Sequence, residues 1–346
     1  MRPLRSMTLI VRVIATLGIV VAAAVAAGAP AARAGVAEAS TPAAQPSAEE
    51  ASAIEEVQVS GERSGPNLWR ISKGDHVAWI LGTYNPLPKK MTWRSREVES
   101  VLAEAQEVLP SGPKVTVDAG FFTKIRVYLQ YRRIMKLPDE VTLKDWLSAG
   151  LYARFTALKL RFDAGDKRIE ELQPMFAALR LYTRVLDESQ LTPRNDIEAA
   201  VLKLARKHQV KIRQTLLTVD DPRGLVAELG EIPRAAQISC LDAIVGRLET
   251  DLETMKAGAR AWALGDVDAL RALPDPKELD VCTSAASSSR KVNDLIDSAT
   301  RRWNAALESA LATNRTTLAM KPIHDLLGPD GTLASLRAKG YQVEGP

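Results

Sequence analysis

Apolar and polar positions change their period along this chain. "NLWRIS" and "VAWILG" are short strand-like runs, and the turn residues of "KGDH" between them predict a β-hairpin. "TWRSREVESVLAEAQEVL" switches to helical spacing, with Val98, Val101, Leu102 and Ala105 recurring on one face and Thr92 or Ser95 as the cap. The helix runs into "EVLPSG", a strand ending at Pro110, and "KVTVDAG" reads as another short strand. Strand, helix, strand is the beginning of a βαβ unit.

The middle of the chain is mostly helical. "TLKDWLSAGLYARFTALKLRF", "IEELQPMFAALRLYTRVLDES" and "RNDIEAAVLKLARKHQV" are amphipathic segments, and "VKIRQTLLT" reads as one buried strand. Long helices follow, with a turn at Gly265-Asp266. "RTTLAMKPIHDLLGPDGTLASLRAKGYQV" closes the chain as strand, loop, helix, strand. The pattern predicts an α/β (α+β) fold: a mixed central sheet built from N- and C-terminal strands, many flanking helices and a helical middle.

Composition changes the picture at the N-terminus. The chain of 346 residues has a formal charge of +4. Arg2, Arg5, Arg12 and Arg33 all precede Gly35 with no acid among them, and the rest of the chain sets 42 basic residues against 42 acidic ones. A neutral chain gives no reason to expect nucleic-acid binding through a broad positive field. The opening stretch, 1–34, reads as a secretory signal: basic start, Ala- and Gly-rich apolar run, and Ala32-Arg33-Ala34 as the cleavage site. Residues 35–65, rich in Ala, Ser, Pro and Glu, read as a flexible linker before one domain at 66–346. No later segment is apolar enough to span a bilayer. The expected location is therefore periplasmic or secreted, where Cys240 and Cys282 pair as a disulfide.

The ordered motifs resemble one known family. "LWRISKGDHVAWILGTYN" is similar to the opening of the TraB/GumN family, which belongs to a wider superfamily of metal-dependent hydrolases that includes the Tiki proteases. "ARAWALGDVDALRAL" looks like that family's Ala-x-Ala-Trp-x-x-Gly-Asp segment. "TTLAMKPIHDLLGPDGTLASLRAKGYQV" resembles its last strand, closing Gly-x-x-His loop, helix and "kGY" strand. The resemblance implies a mixed sheet with the site at the ends of the first and last strands. It also implies a metal or acid/base constellation of an early His, an acidic residue after the next strand, and a late His. A divalent metal needs two to four such ligands and turns a bound water into a nucleophile.

This chain departs from that constellation. Gly82-Thr83-Tyr84-Asn85 puts an asparagine where relatives have the first His. Pro110-Ser111 stands where they have a Glu, and Leu217 replaces a carboxylate in the Leu-Glu-Thr pattern. Lys321-Pro322-Ile323-His324 keeps the late His but loses the Gly. The amide oxygen of Asn85 is a weak transition-metal ligand, so no cofactor is expected and a divalent metal is disfavoured. His324 reads as a remnant ligand, a general base oriented by Asp325, or an ordinary polar loop residue. A Ser111–His324 pair lacks an evident third group. Lys89, Lys90, Arg94 and Arg96 surround the first loop, where they hold an anion with the following helix N-terminus or form a solvated face. His76 and His208 are expected to be solvated, and Trp262 and Trp303 to be core. No Gly-x-Ser-x-Gly elbow, P-loop, dinucleotide fingerprint or His-Glu-x-x-His occurs.

Three readings follow. The first is an exported protein that binds a peptide or small molecule in the old cleft, with little or no catalysis. The second is a peptide or ester hydrolase using His324 and Asn85, with or without a metal. The third is an envelope scaffold that binds a partner.

Overall fold

The computed structural model describes residues 66–346 except 164, 195, 274–276 and 329. The expected signal segment and linker, 1–34 and 35–65, lie outside the described residues. The alternating runs fold as expected into β1 (Leu68–Lys73) and β2 (His76–Thr83), an antiparallel hairpin turned at Gly74. Gly74 has φ 59°, a left-handed conformation that glycine adopts at no steric cost. β3 (Leu87–Pro88), β4 (Glu107–Leu109), β5 (Lys114–Val117), β6 (Leu191–Thr192), β7 (Lys211–Ile212), β8 (Leu216–Val219), β9 (Thr316–Pro322) and β10 (Gln342–Glu344) complete the strands.

Six of them form the central sheet in the order β10-β1-β2-β9-β4-β7. β9 lies parallel to both β2 and β4, so a strand from the end of the chain occupies the middle of the sheet. β3 pairs with β6, and β5 with β8, as separate ribbons.

The expected single strand "VKIRQTLLT" is two strands in different sheets. Lys211 and Arg213 both reach the buried Glu107 carboxylate, at 3.1 and 3.3 Å, and this holds β7 at the edge of the central sheet. The chain then leaves, and β8 pairs with β5 instead. Charge pairing to one buried acid overrides the continuity of the apolar run.

The helices are α1 (Arg96–Glu104), α2 (Phe121–Ile134), α3 (Leu143–Trp146), α4 (Ala149–Phe162), α5 (Pro174–Glu188), α6 (Asp196–Lys207), α7 (Pro222–Gly230), α8 (Arg234–Thr250), α9 (Leu252–Leu264), α10 (Val267–Ala272), α11 (Lys277–Ala286), α12 (Arg290–Thr313), α13 (Ile323–Leu327) and α14 (Thr332–Ala338). Their ends carry the expected chemistry. Pro174 opens α5, where its missing N–H costs nothing. Ser148 and Ser289 accept backbone N–H groups of α4 and α12. Gly265 ends α9 at φ 71°, and Asp266 at once caps α10 by accepting from Ala269 N at 2.8 Å.

Two apolar cores result. One lies on the sheet around Trp69, Ile80, Leu318, Trp262 and Trp303. The other lies among the middle helices around Phe155, Leu181, Leu241 and Ile244. Each fully buried side chain of this kind stabilises the fold by about 1.5–3 kcal/mol. The sulfurs of Cys240 on α8 and Cys282 on α11 stand 2.04 Å apart, bonding distance, inside the helical core. Among the described residues no helix is long and apolar enough to cross a membrane.

Candidate functional site

Three adjacent parallel strands deliver their carboxyl ends to one place. Gly82 on β2 is in register with Lys321 on β9, and Leu109 on β4 is in register with Ala319, two residues earlier on β9. Gly82 is required by crowding, because a Cβ there would come 2.7 Å from the Trp69 ring and 3.2 Å from Ile323. Two buried indoles fix the strand ends from the helix layer. Trp262 Nε1 of α9 donates to Gly82 O at 2.6 Å, and Trp303 Nε1 of α12 donates to Pro110 O at 2.9 Å.

Beyond Gly82, Thr83 is buried and its Oγ1 has no hydrogen-bond partner among the described residues. Tyr84 turns inward against Gly258 of α9, and its ring centre lies 5.8 Å from that of His324. Burial pushes the Tyr84 phenol up to about 12, against an opposing pull from Arg247. Asn85 precedes a cis bond to Pro86. With its nitrogen facing the nearby carbonyls, its amide donates to Tyr84 O at 2.9 Å and Arg194 O at 3.0 Å. Asn85 thus ties the loop to the segment after β6.

The basic residues of the loop divide. Lys89 is held by Asp187, to the carboxylate at 2.7 Å and the carbonyl at 2.8 Å, while Lys90 and Arg94 are exposed. The hydrogen bond and charge of Lys89 hold the Asp187 carboxyl below its ordinary range.

At the end of β4, Ser111 donates through both its backbone N (3.1 Å) and its Oγ to Glu198 Oε2. Glu198 sits in the first turn of α6 and is buried. At the end of β9, Lys321 is buried with its Nζ 4.4 Å from the Trp303 ring centre and 3.8 Å from Asp325 Oδ2. His324 is exposed on the first turn of α13, where a loop was expected.

Leu217 is buried in β8, outside the central sheet. His76, expected to be solvated, is half-buried, with its Nδ1 2.8 Å from Asn314 O where β9 begins beside it. His208 is exposed.

Glu198 and Arg247 went unnoticed in the sequence. An acid in the first turn of a helix is commonplace, and only the packing of α6 on β4 turns Glu198 inward. Arg247 carries no motif. Its signal is tertiary, a residue only 9% exposed whose Nε and Nη1 have no hydrogen-bond partner among the described residues.

These groups do not fit a divalent metal. Among the described residues no group of three or more His, Cys, Asp or Glu could hold one. The Asn85 nitrogen faces carbonyls, and the position at the end of β9 carries a cation, Lys321, beside Trp303 and Asp325. A metal there needs three or four converging lone pairs.

The architecture defines a mixed α/β protein with a polar cluster at the carboxyl ends of parallel strands, where open α/β sheets place their ligands. The chain belongs to the TraB/PrgY/gumN family, whose model matches residues 67–345. No curated protein and no solved structure gives a significant match.

Proposed function

We propose that this is an exported member of its family that binds a peptide or small molecule at the strand-end cleft, with little or no catalysis. One observation carries the reading. At three of the family's site positions the polar groups are held by neighbours, Asn85 by two carbonyls, Ser111 by Glu198 and Lys321 by Asp325, while His324 stays exposed. Ser111 Oγ does lie within reach of a base, but Glu198 Oε2 also accepts the Ser111 backbone N–H, which suits an anchor of the strand end. Hydrolysis needs in addition donors aimed at developing charge.

A surface groove lies beside this cluster, on neighbouring elements. It encloses about 1130 Å³ along α5 and β6, flanked by Arg161, Asp163, Arg180, Asp187 and Arg194. It adjoins the loop through the Asn85–Arg194 and Lys89–Asp187 contacts.

Metal analysis of the purified protein is the first test. The expected result is no stoichiometric zinc, manganese or iron. A metal lost in His324→Ala would overturn the reading. A peptide and ester hydrolase screen of wild type against His324→Ala follows, with equal background expected. Ligand-dependent thermal stabilisation without turnover is the positive signature of a binder. Export is checked separately by N-terminal sequencing, with the mature chain expected to begin at Gly35.

A further inference from the structure

We propose that the outward face of α2 docks on a bilayer surface rich in anionic headgroups. The inference stands apart from the cleft reading and goes beyond it.

Among the described residues seven large apolar side chains are exposed, and three of them share this one helix: Phe121 at 56%, Phe122 at 76% and Leu129 at 59%. Single exposed apolar side chains are ordinary, but a group of them rimmed by polar residues marks an interaction surface. At about 100° per residue, Phe122, Arg126, Leu129 and Arg133 fall within about 60° of one another, a stripe roughly 16 Å long. All four are exposed. Val127 and Tyr131 lie on the opposite side of the helix, where they are buried in the helical core. One face of α2 is therefore already seated on the protein, beside α7, where Gln130 Nε2 donates to Arg223 O at 3.3 Å. The rings of Phe121 and Phe122 pack edge to face, 5.6 Å between centres, so the apolar end of the open face is one unit.

Charge decides between occupants. α2 carries Lys124, Arg126, Arg132 and Arg133 and no acid, and from Lys114 to Lys136 the chain sets six basic residues against Asp118 alone. The chain beyond residue 34 is neutral overall, so this is a local excess. Among the described residues no acid pairs with the four cations of the helix, and Arg132 leans over Tyr128 one turn away, at 6.0 Å. A second copy docked through the same face would set Arg126 and Arg133 against a surface without acids, which opposes binding. An anionic bilayer offers phosphates to the guanidinium forks and an acyl boundary to the phenylalanines. Being fluid, it needs no preformed groove to fit a convex helix.

The test is co-sedimentation of the full chain with vesicles of phosphatidylcholine alone and of phosphatidylcholine mixed equally with phosphatidylglycerol. Wild type should bind the mixed vesicles, bind the neutral ones far more weakly, and come off as salt rises. Phe121→Ser with Phe122→Ser should weaken binding by at least about tenfold, the partition equivalent of returning one phenylalanine to water. Arg126→Gln with Arg133→Gln should weaken it by about twenty- to thirtyfold, about fivefold for each charge near the surface. Both variants change exposed side chains, so the melting temperature should hold. Should the double phenylalanine variant not fold, Phe122→Ser alone should still bind more weakly. Arg301→Gln with Arg302→Gln, exposed on α12, removes the same charge elsewhere and should bind as wild type does.

No binding of wild type to the anionic vesicles overturns the proposal. So does equal binding by wild type and the α2 variants, which puts the attachment elsewhere on the chain. An equal loss in the α12 control shows net charge alone at work and also overturns it. A dimer in analytical ultracentrifugation that is lost in Phe121→Ser with Phe122→Ser, without vesicle binding, gives the face to a second copy instead.

Discussion

Replacing Trp262 with phenylalanine tests how the site strand is held. The substitution removes the indole N–H that reaches Gly82 O at 2.6 Å in a fully buried setting. Loss of one partner from a buried pair costs about 1–3 kcal/mol. The smaller ring leaves less apolar surface buried, about 1 kcal/mol more. The expected loss is therefore about 2–4 kcal/mol, a fall of roughly 3–7 °C in melting temperature for a chain of this size. Urea denaturation followed by circular dichroism measures it. Trp303→Phe, which cuts the equivalent bond to Pro110 O, should cost a similar amount. Trp93→Phe is the control: Trp93 is half-buried and meets Trp262 only ring to ring, 6.2 Å between centres. It should cost under about 1.5 kcal/mol. If Trp262→Phe costs no more than a surface change, under about 0.5 kcal/mol, the indole bond does not anchor the strand.

Other expectations are as direct. Gly258→Ala puts a Cβ 2.7 Å from Tyr84 Cζ and 2.8 Å from Leu273 Cδ1. Overpacking of about 1–3 kcal/mol, less about 1 kcal/mol of helix propensity, predicts a net loss of up to about 2 kcal/mol, and a gain in stability would show that Tyr84 does not pack there. Cys240→Ala with Cys282→Ala opens a cross-link spanning 42 residues. The chain-entropy estimate is about 4 kcal/mol, and a reduced protein as stable as the oxidised one would refute it. For Glu170, burial raises the carboxyl but is outweighed by hydrogen bonds from Lys159 and Tyr152, so its pKa lies below the ordinary 4.5. Its stabilising contribution is present above that value and lost as pH falls through the lower folded value. Glu170→Gln should be less stable than wild type at neutral pH and show a shallower acid limb. Superimposable pH profiles would count against the pairing.

Much of the fold was legible because its signals are local. The β1–β2 hairpin follows from alternation and the Gly74 turn, and the helices from apolar spacing, Pro174 and the serine caps. What escaped was decided across the chain. Nothing within "VKIRQTLLT" says that it divides, because the acid that captures Lys211 and Arg213 lies far back in the chain, on β4. The candidate site was half legible. The positions of Asn85, Ser111, Lys321 and His324 came from ordered motifs. Of their partners, Asp325 lies in the same motif, whereas Arg194 comes from the segment after β6 and Glu198 from the packing of α6, and an arginine such as Arg247 looks like any other in a list of residues.

The central place of β9 governs how the molecule can come into being. His76 at the start of β2 meets Asn314 across 238 residues of chain, and β4 has no neighbour on its inner side until β9 arrives. An unfinished chain therefore holds a hairpin and a separate β4–β7 pair with open edges, and contacts this distant form slowly. The sheet closes only once β9 and the tail beyond it are present. On the export route proposed above, a chain that threads through a membrane before folding gains from that order, since its own C-terminus withholds the final strand until transit is nearly done.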